Sequence, residues 1–209
     1  MRFLAVSKLR NLDQDLQLTS GADLFLNLLK DDDERVRSAT IKLVSDWCDS
    51  TYIDSFIEII KHDSNPRVRT NAMEALVPFL DKEEFKSNIL DAFISCLETP
   101  NHRVSSTAAA LIYTSKIDIA RKTLDQMLIS DQMLFRSAAA WAIGYSGDSK
   151  YFSTKLFAML ATETESIVVS QLTSALSKMA EGDLPLSTQI ENILDPVNKV
   201  NLPSESIAG

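Results

Sequence analysis

One stretch of this chain occurs five times, and that recurrence constrains the fold more than any other feature. The first copy is Asp31–Val44, DDDERVRSATIKLV, an acidic turn followed by an apolar residue and a helix with small residues on one side. The others are Asn65–Val77, Asn101–Tyr113, Gln132–Gly144 and Glu165–Ser177. One register position runs through all of them as Val36, Val68, Val104, Phe135 and Val168, at spacings of 32, 36, 31 and 33 residues. Solenoids built of helical pairs repeat every roughly 30 to 47 residues. Each repeat would supply a first helix with large apolar side chains and a second with small ones, most plainly Ala108–Ala110 and Ala138–Ala140. Helices of about 10–14 residues are marginal alone, and stacking makes up the deficit through burial of Leu, Ile and Phe at roughly 1.5–3 kcal/mol each.

The spacing predicts full repeats at 20–50, 51–81, 85–116, 118–148 and 150–182, with half repeats at 2–12 and 188–195. These would form a single solenoid over 1–195, followed by a frayed polar tail at 196–209. The half repeat at 2–12 reads as a cap or as the cut edge of a longer protein. Asn65-Pro66 marks a helix start, an N-cap followed by Pro at N1. Pro78 kinks or ends the helix before it. Beside it, the connection Asp81–Glu84 accounts for the 36-residue spacing and is expected to be the weak joint of the stack.

The pattern of turn, Val, Arg and then Ala-x-x-Ala-Leu resembles HEAT repeats, especially the short subclass of phycobilin-lyase-like proteins. Asn65-Pro66-Arg67-Val68-Arg69 and Arg136–Gly144 carry it best. The resemblance implies an all-α fold, a right-handed α-α superhelix of about five pairs. It also implies that the Arg after the register residue joins an inter-repeat ladder with acidic turn residues. Arg37, Arg69 and Arg136 match that position, while Ser105 and Val169 depart from it. HEAT-like solenoids bind proteins along the concave surface lined by their second helices, so a protein-binding scaffold is the function implied.

Positions two, six and nine after the register residue share one helix face, which gives concave-face candidates Lys42, Glu74, Ser106, Tyr113, Ser137 and Trp141. Tyr145 lies one turn beyond Trp141 and completes an aromatic group with Tyr113. The hydroxyl row Ser38, Thr70, Ser106, Ser137 and Ser170 reads more simply as small polar residues in a first helical turn. Trp141 reads equally as a binding anchor and as packing over neighbouring alanines; Trp47 reads as packing.

The sequence shows no H-E-x-x-H, Walker loop, G-x-G-x-x-G or G-x-S-x-G pattern. Asp31–Glu34 lacks the glycine and spaced oxygen ligands of a calcium loop. No catalytic residue, metal site or cofactor is therefore expected. A net charge of −8 disfavours nucleic acid and would suit a protein partner with a basic segment. Two cysteines, Cys48 and Cys96, make no disulfide framework, and no apolar run reaches the roughly 18 residues of a membrane span. A soluble cytoplasmic protein is expected. The alternatives are an enzyme on the same scaffold, of the phycobilin-lyase or alkylpurine DNA glycosylase kind, or a piece of a larger assembly subunit.

Overall fold

The computed structural model describes residues 22–47 and 49–181, together with Val6 and Thr188. Among the described residues it holds ten α-helices and no strand. None of these helices is long and apolar enough to cross a membrane. The half repeats at 2–12 and 188–195 (apart from Val6 and Thr188), the tail at 196–209 and Cys48 lie outside the described residues. The chain divides into two compact units, residues 1–126 and 127–209.

The first unit contains α1 (Ala22–Leu28), α2 (Glu34–Ser45), α3 (Ile53–His62), α4 (Pro66–Leu76), α5 (Glu83–Ile94), α6 (His102–Ile112) and most of α7 (Ile117–Leu128). Its second helices all begin with the same device. The side chain of Asp33 accepts the backbone N–H of Arg35 at 2.9 Å, Asn65 accepts that of Arg67 at 2.9 Å, and Asn101 accepts that of Arg103 at 3.1 Å. Each bond satisfies a donor that a helix start otherwise leaves bare. Second helices then pack on one another, α2 on α4 and α4 on α6, while α3 packs on α5.

The register residues Val36, Val68 and Val104 are buried at these contacts, as are Phe56, Ile60, Ile89 and Phe93 from the first helices. Trp47 is a packing residue, set edge-on to Phe25 at 5.0 Å and tilted against Tyr52 at 6.3 Å. Pro78 does end α4, which passes into a 3-10 turn at Val77–Phe79. Phe79 is buried there and meets Phe85 edge-on at 6.1 Å, with the Lys82 ammonium 4.7 Å above its ring. Aromatic packing therefore closes the connection expected to be the weak joint.

The second unit contains α8 (Met133–Ser146), α9 (Ser149–Leu160) and α10 (Ser166–Ala180). Its register residues differ: Val168 is fully buried and the larger Phe135 only half-buried. Helices α8 and α10 approach closely because Gly144 faces Ala175. A Cβ built on Gly144 would stand 2.8 Å from the Ala175 Cα, closer than atoms pack. Gly147 ends α8 with φ of 70°, in the left-handed region that glycine enters without steric cost. Gly144→Ala is expected to cost about 1–3 kcal/mol in urea unfolding, because the helices must separate. Gly147→Ala meets no neighbour and is expected to cost only the backbone strain, about 1–2 kcal/mol. A neutral Gly144→Ala would show that the close approach is not needed.

Candidate functional site

In four of the five repeats the residue after the register position ties the second helix to its surroundings. Arg37 donates from Nε to Asp63 Oδ2 at 2.6 Å and from Nη2 to Oδ1 at 2.9 Å, while its Nη1 reaches the carbonyls of Asp31 and Asp32. Arg136 repeats this arrangement in the second unit. It donates to Glu163 at 2.7 and 3.0 Å and to the carbonyls of Ser130 and Asp131. Both pairs are well covered, with side chains 11% and 5% exposed for Arg37 and Asp63, and 17% and 6% for Arg136 and Glu163.

Arg69 differs from these two. It donates to the Ile60 carbonyl at 2.6 Å and to the Cys96 sulfur at 3.3 Å, so a buried thiol stands where the other two find a carboxylate. Ser105 occupies the same position in the third pair and donates to the Leu97 carbonyl at 2.6 Å. A hydroxyl thus does for one carbonyl what the guanidinium of Arg69 does for another.

The Arg136 N–H donors hold the Glu163 carboxyl below the usual glutamate range, and the backbone N–H groups of Glu165 and Thr164 add to the effect. The same pairing raises Arg136, as that with Asp63 raises Arg37. A carboxyl whose folded pKa is depressed stabilises fully above its unfolded value, about 4.3, and loses that contribution as pH falls through the folded value. Glu163→Gln is expected to lower the urea midpoint at pH 7 and to differ much less from wild type at pH 3. An unchanged gap between the two pH values would contradict the pairing.

The candidate binding residues do not share one environment. Lys42 and Glu74 are exposed, Ser137 and Trp141 half-buried, and Tyr145 is 60% exposed. Ser106 and Tyr113 are buried. Ser106 donates to the Arg103 carbonyl of its own helix, and the Tyr113 hydroxyl accepts from Arg121 at 3.3 Å. Tyr113 is 5% exposed and so presents no ring at the surface. The aromatic group expected from sequence reduces to Trp141 and Tyr145, which stack with centroids 5.8 Å apart and planes 25° from parallel. Thr70 bonds the Arg67 carbonyl, so the hydroxyl row serves its own helices at both Thr70 and Ser106.

The rows exposed in every repeat lie elsewhere. One position before the register residue stand Arg35, Arg67, Arg103, Leu134 and Ile167, all exposed. Ten positions after it stand Asp46, Pro78, Thr114, Tyr145 and Lys178, also all exposed. In α8 and α10 eleven residues make about three turns, so the two positions lie on one face of those helices, whereas Asp46, Pro78 and Thr114 follow the ends of α2, α4 and α6. The last position of the expected stripe is covered at Tyr113 and turns toward Ala175 at Gly144, but stands open at Val77 and Ser177. The first three copies display an arginine immediately before the register residue, a signal in the sequence that net charge obscures. On the second helices of the first unit, exposed Arg35, Lys42, Arg67 and Arg103 outnumber exposed Glu34 and Glu74. A basic partner segment, expected from net charge, would meet more cations than carboxylates there.

A family profile of HEAT repeats matches residues 5–77 and, overlapping, 22–112, together more than half of the chain. The chain belongs to the HEAT-repeat family. No curated protein matches it. Among solved structures, this HEAT-repeat chain is similar to the Kap121p mutant D353K/E396K/D438K, with a TM-score of 0.65 and 19% identity over 99% of the chain and 24% of Kap121p. It is also similar to Kap121p bound to Nup53p, with a TM-score of 0.66 and 19% identity over 96% of the chain and 23% of that protein. It thus spans about a quarter of the length of Kap121p. The CpcE–CpcF complex of phycocyanin lyase from Nostoc sp. PCC7120 matches at a TM-score of 0.44 and 16% identity, over 94% of both chains.

Proposed function

We propose that this HEAT-repeat chain is a non-enzymatic scaffold that binds another protein or peptide through its second helices, with Trp141 and Tyr145 as the anchor in its second unit. The exposed stripe of α8 carries the reading. Leu134, Ala138, Trp141 and Tyr145 follow at i, i+4, i+7 and i+11, and Leu134 and Tyr145 stand open to solvent. A stacked Trp–Tyr pair offers large rigid apolar area with polar edges, the chemistry enriched at interface hot spots. Exposed apolar side chains grouped this way mark interaction surfaces.

Two further observations support a binding role. Kap121p, which shares this fold, has structures in complex with Pho4p, Nup53p and the SUMO protease Ulp1p. The sequence offers no catalytic motif on which to build a reaction. An intracellular setting belongs to the same reading and rests on the sparse cysteines, of which Cys96 is free and buried.

The test is affinity capture with wild type and with Trp141→Glu, followed by titration of the identified partner. Trp141→Glu, folded by circular dichroism, is expected to weaken that partner about thirtyfold or more, as a hot-spot loss of about 2 kcal/mol requires. Equal affinity would remove the anchor from α8. Capture of a small molecule or nucleic acid in place of a protein would favour an enzyme on the same scaffold.

A further inference from the structure

We propose that the row Arg35, Arg67 and Arg103 binds an extended acidic segment of a protein partner, one with carboxylates at about every third residue. This rests on the scaffold reading and adds to it a partner chemistry and a second surface, within the first unit. The three arginines occupy the second position of α2, α4 and α6, each with its backbone N–H fixed by the cap of its helix. The guanidiniums therefore spring from equivalent points on successively packed helices. Packed helices lie about 8–10 Å apart, and an extended chain advances about 3.3 Å per residue, so every third peptide residue keeps pace with the row.

Three observations favour a ligand over a structural role. All three side chains are exposed, and among the described residues neither Arg67 nor Arg103 has an ion-pair partner, while Arg35 reaches Asp33 at 2.7 Å. The first turn of a helix carries partial positive charge and disfavours a cation, so the row gains its helices nothing. An incoming carboxylate would meet the guanidinium beside the positive end of a helix whose first N–H groups are already capped. A groove of about 560 Å³ lies beside Arg35 and Arg67, between α2 and α4, with the buried Val6 in its wall. Ala39, Leu43 and Val68 give it an apolar floor, and Lys42 adds a cation two turns beyond Arg35. Glu34 and Glu74 interrupt the positive field, and the net charge of −8 repels a long polyanion, which favours a short acidic peptide over nucleic acid.

The probe is a fluorescein-labelled peptide of thirteen residues with Glu at every third position, read by anisotropy against the whole chain. Its Gln counterpart and a labelled oligothymidine serve as the other arms. Wild type is expected to bind the Glu peptide, more weakly as salt rises, and to ignore the Gln peptide. The double variant Arg67→Glu, Arg103→Glu is expected to lose about tenfold or more. Arg67→Gln with Arg103→Gln should lose part of that, and far-UV circular dichroism reports that both remain folded. Trp141→Glu should leave the affinity unchanged, so loss of a captured partner in that variant and loss of the peptide in the arginine variants report on separate claims. The proposal is overturned by equal affinity in wild type and the double variant, by no saturable binding of wild type below about 1 mM, or by tighter binding of oligothymidine than of the peptide.

Discussion

The bond network made by the residue after the register position is what the stack depends on. A guanidinium there reaches two ways: back to the carbonyls that end the preceding helix, and forward to a carboxylate in the next repeat. Arg37 makes both links, to Asp31 and Asp32 and to Asp63, and Arg136 makes the same pair of links to Ser130 and Asp131 and to Glu163. A bidentate pair this well covered gives direction as well as energy, because removing either partner strands a charge that water reaches poorly. In the third pair, where the arginine is absent, Ser105 keeps the backward link alone, and Val169 in the fifth has no side-chain donor to make one. Where the forward carboxylate is absent, Arg69 turns to Cys96.

Close packing of the second helices is the other half of the design. Ala108 and Ala109, and Ala139 and Ala140, are fully buried, and Gly144 admits Ala175 at a distance no larger residue allows. Packing of this kind decides which flank of each helix is covered and which is left for a partner. It leaves the two rows that begin at Arg35 and Asp46 open in every repeat, and it covers Ser106 and Tyr113. A binding surface on such a chain is therefore what the stacking leaves over.

Much of this was legible in the sequence, and the limits have physical causes. The period and the Pro signals located helix ends well: α4 starts at Pro66 behind its Asn65 cap and ends before Pro78. These depend on local backbone preference, which a sequence displays directly. Helical periodicity also shows that a polar flank exists, but not which of two flanks the next repeat will cover. That choice is made by contacts some thirty residues away, such as Gly144 with Ala175, so Ser106 and Tyr113 read as surface residues although both are buried, while Lys42, Glu74 and Tyr145 are exposed. Net charge is a coarse guide to the partner for a similar reason. It sums over the whole chain, whereas the second helices of the first unit hold more exposed arginine and lysine than glutamate. Trp141 was legible as unusual because its counterparts in other repeats are small or polar, and its stacking on Tyr145 follows from their i, i+4 spacing.

The most direct test of this account is a double-mutant cycle on Arg37 and Asp63, each replaced by Ala singly and together, with stability taken from urea unfolding. A bond that joins one repeat to the next should give a coupling energy of about 1–3 kcal/mol, with the double variant less destabilised than the two single losses added. Additivity within about 0.5 kcal/mol would contradict the account, since Arg37 would then contribute through packing alone and the repeats would be held together by their apolar contacts.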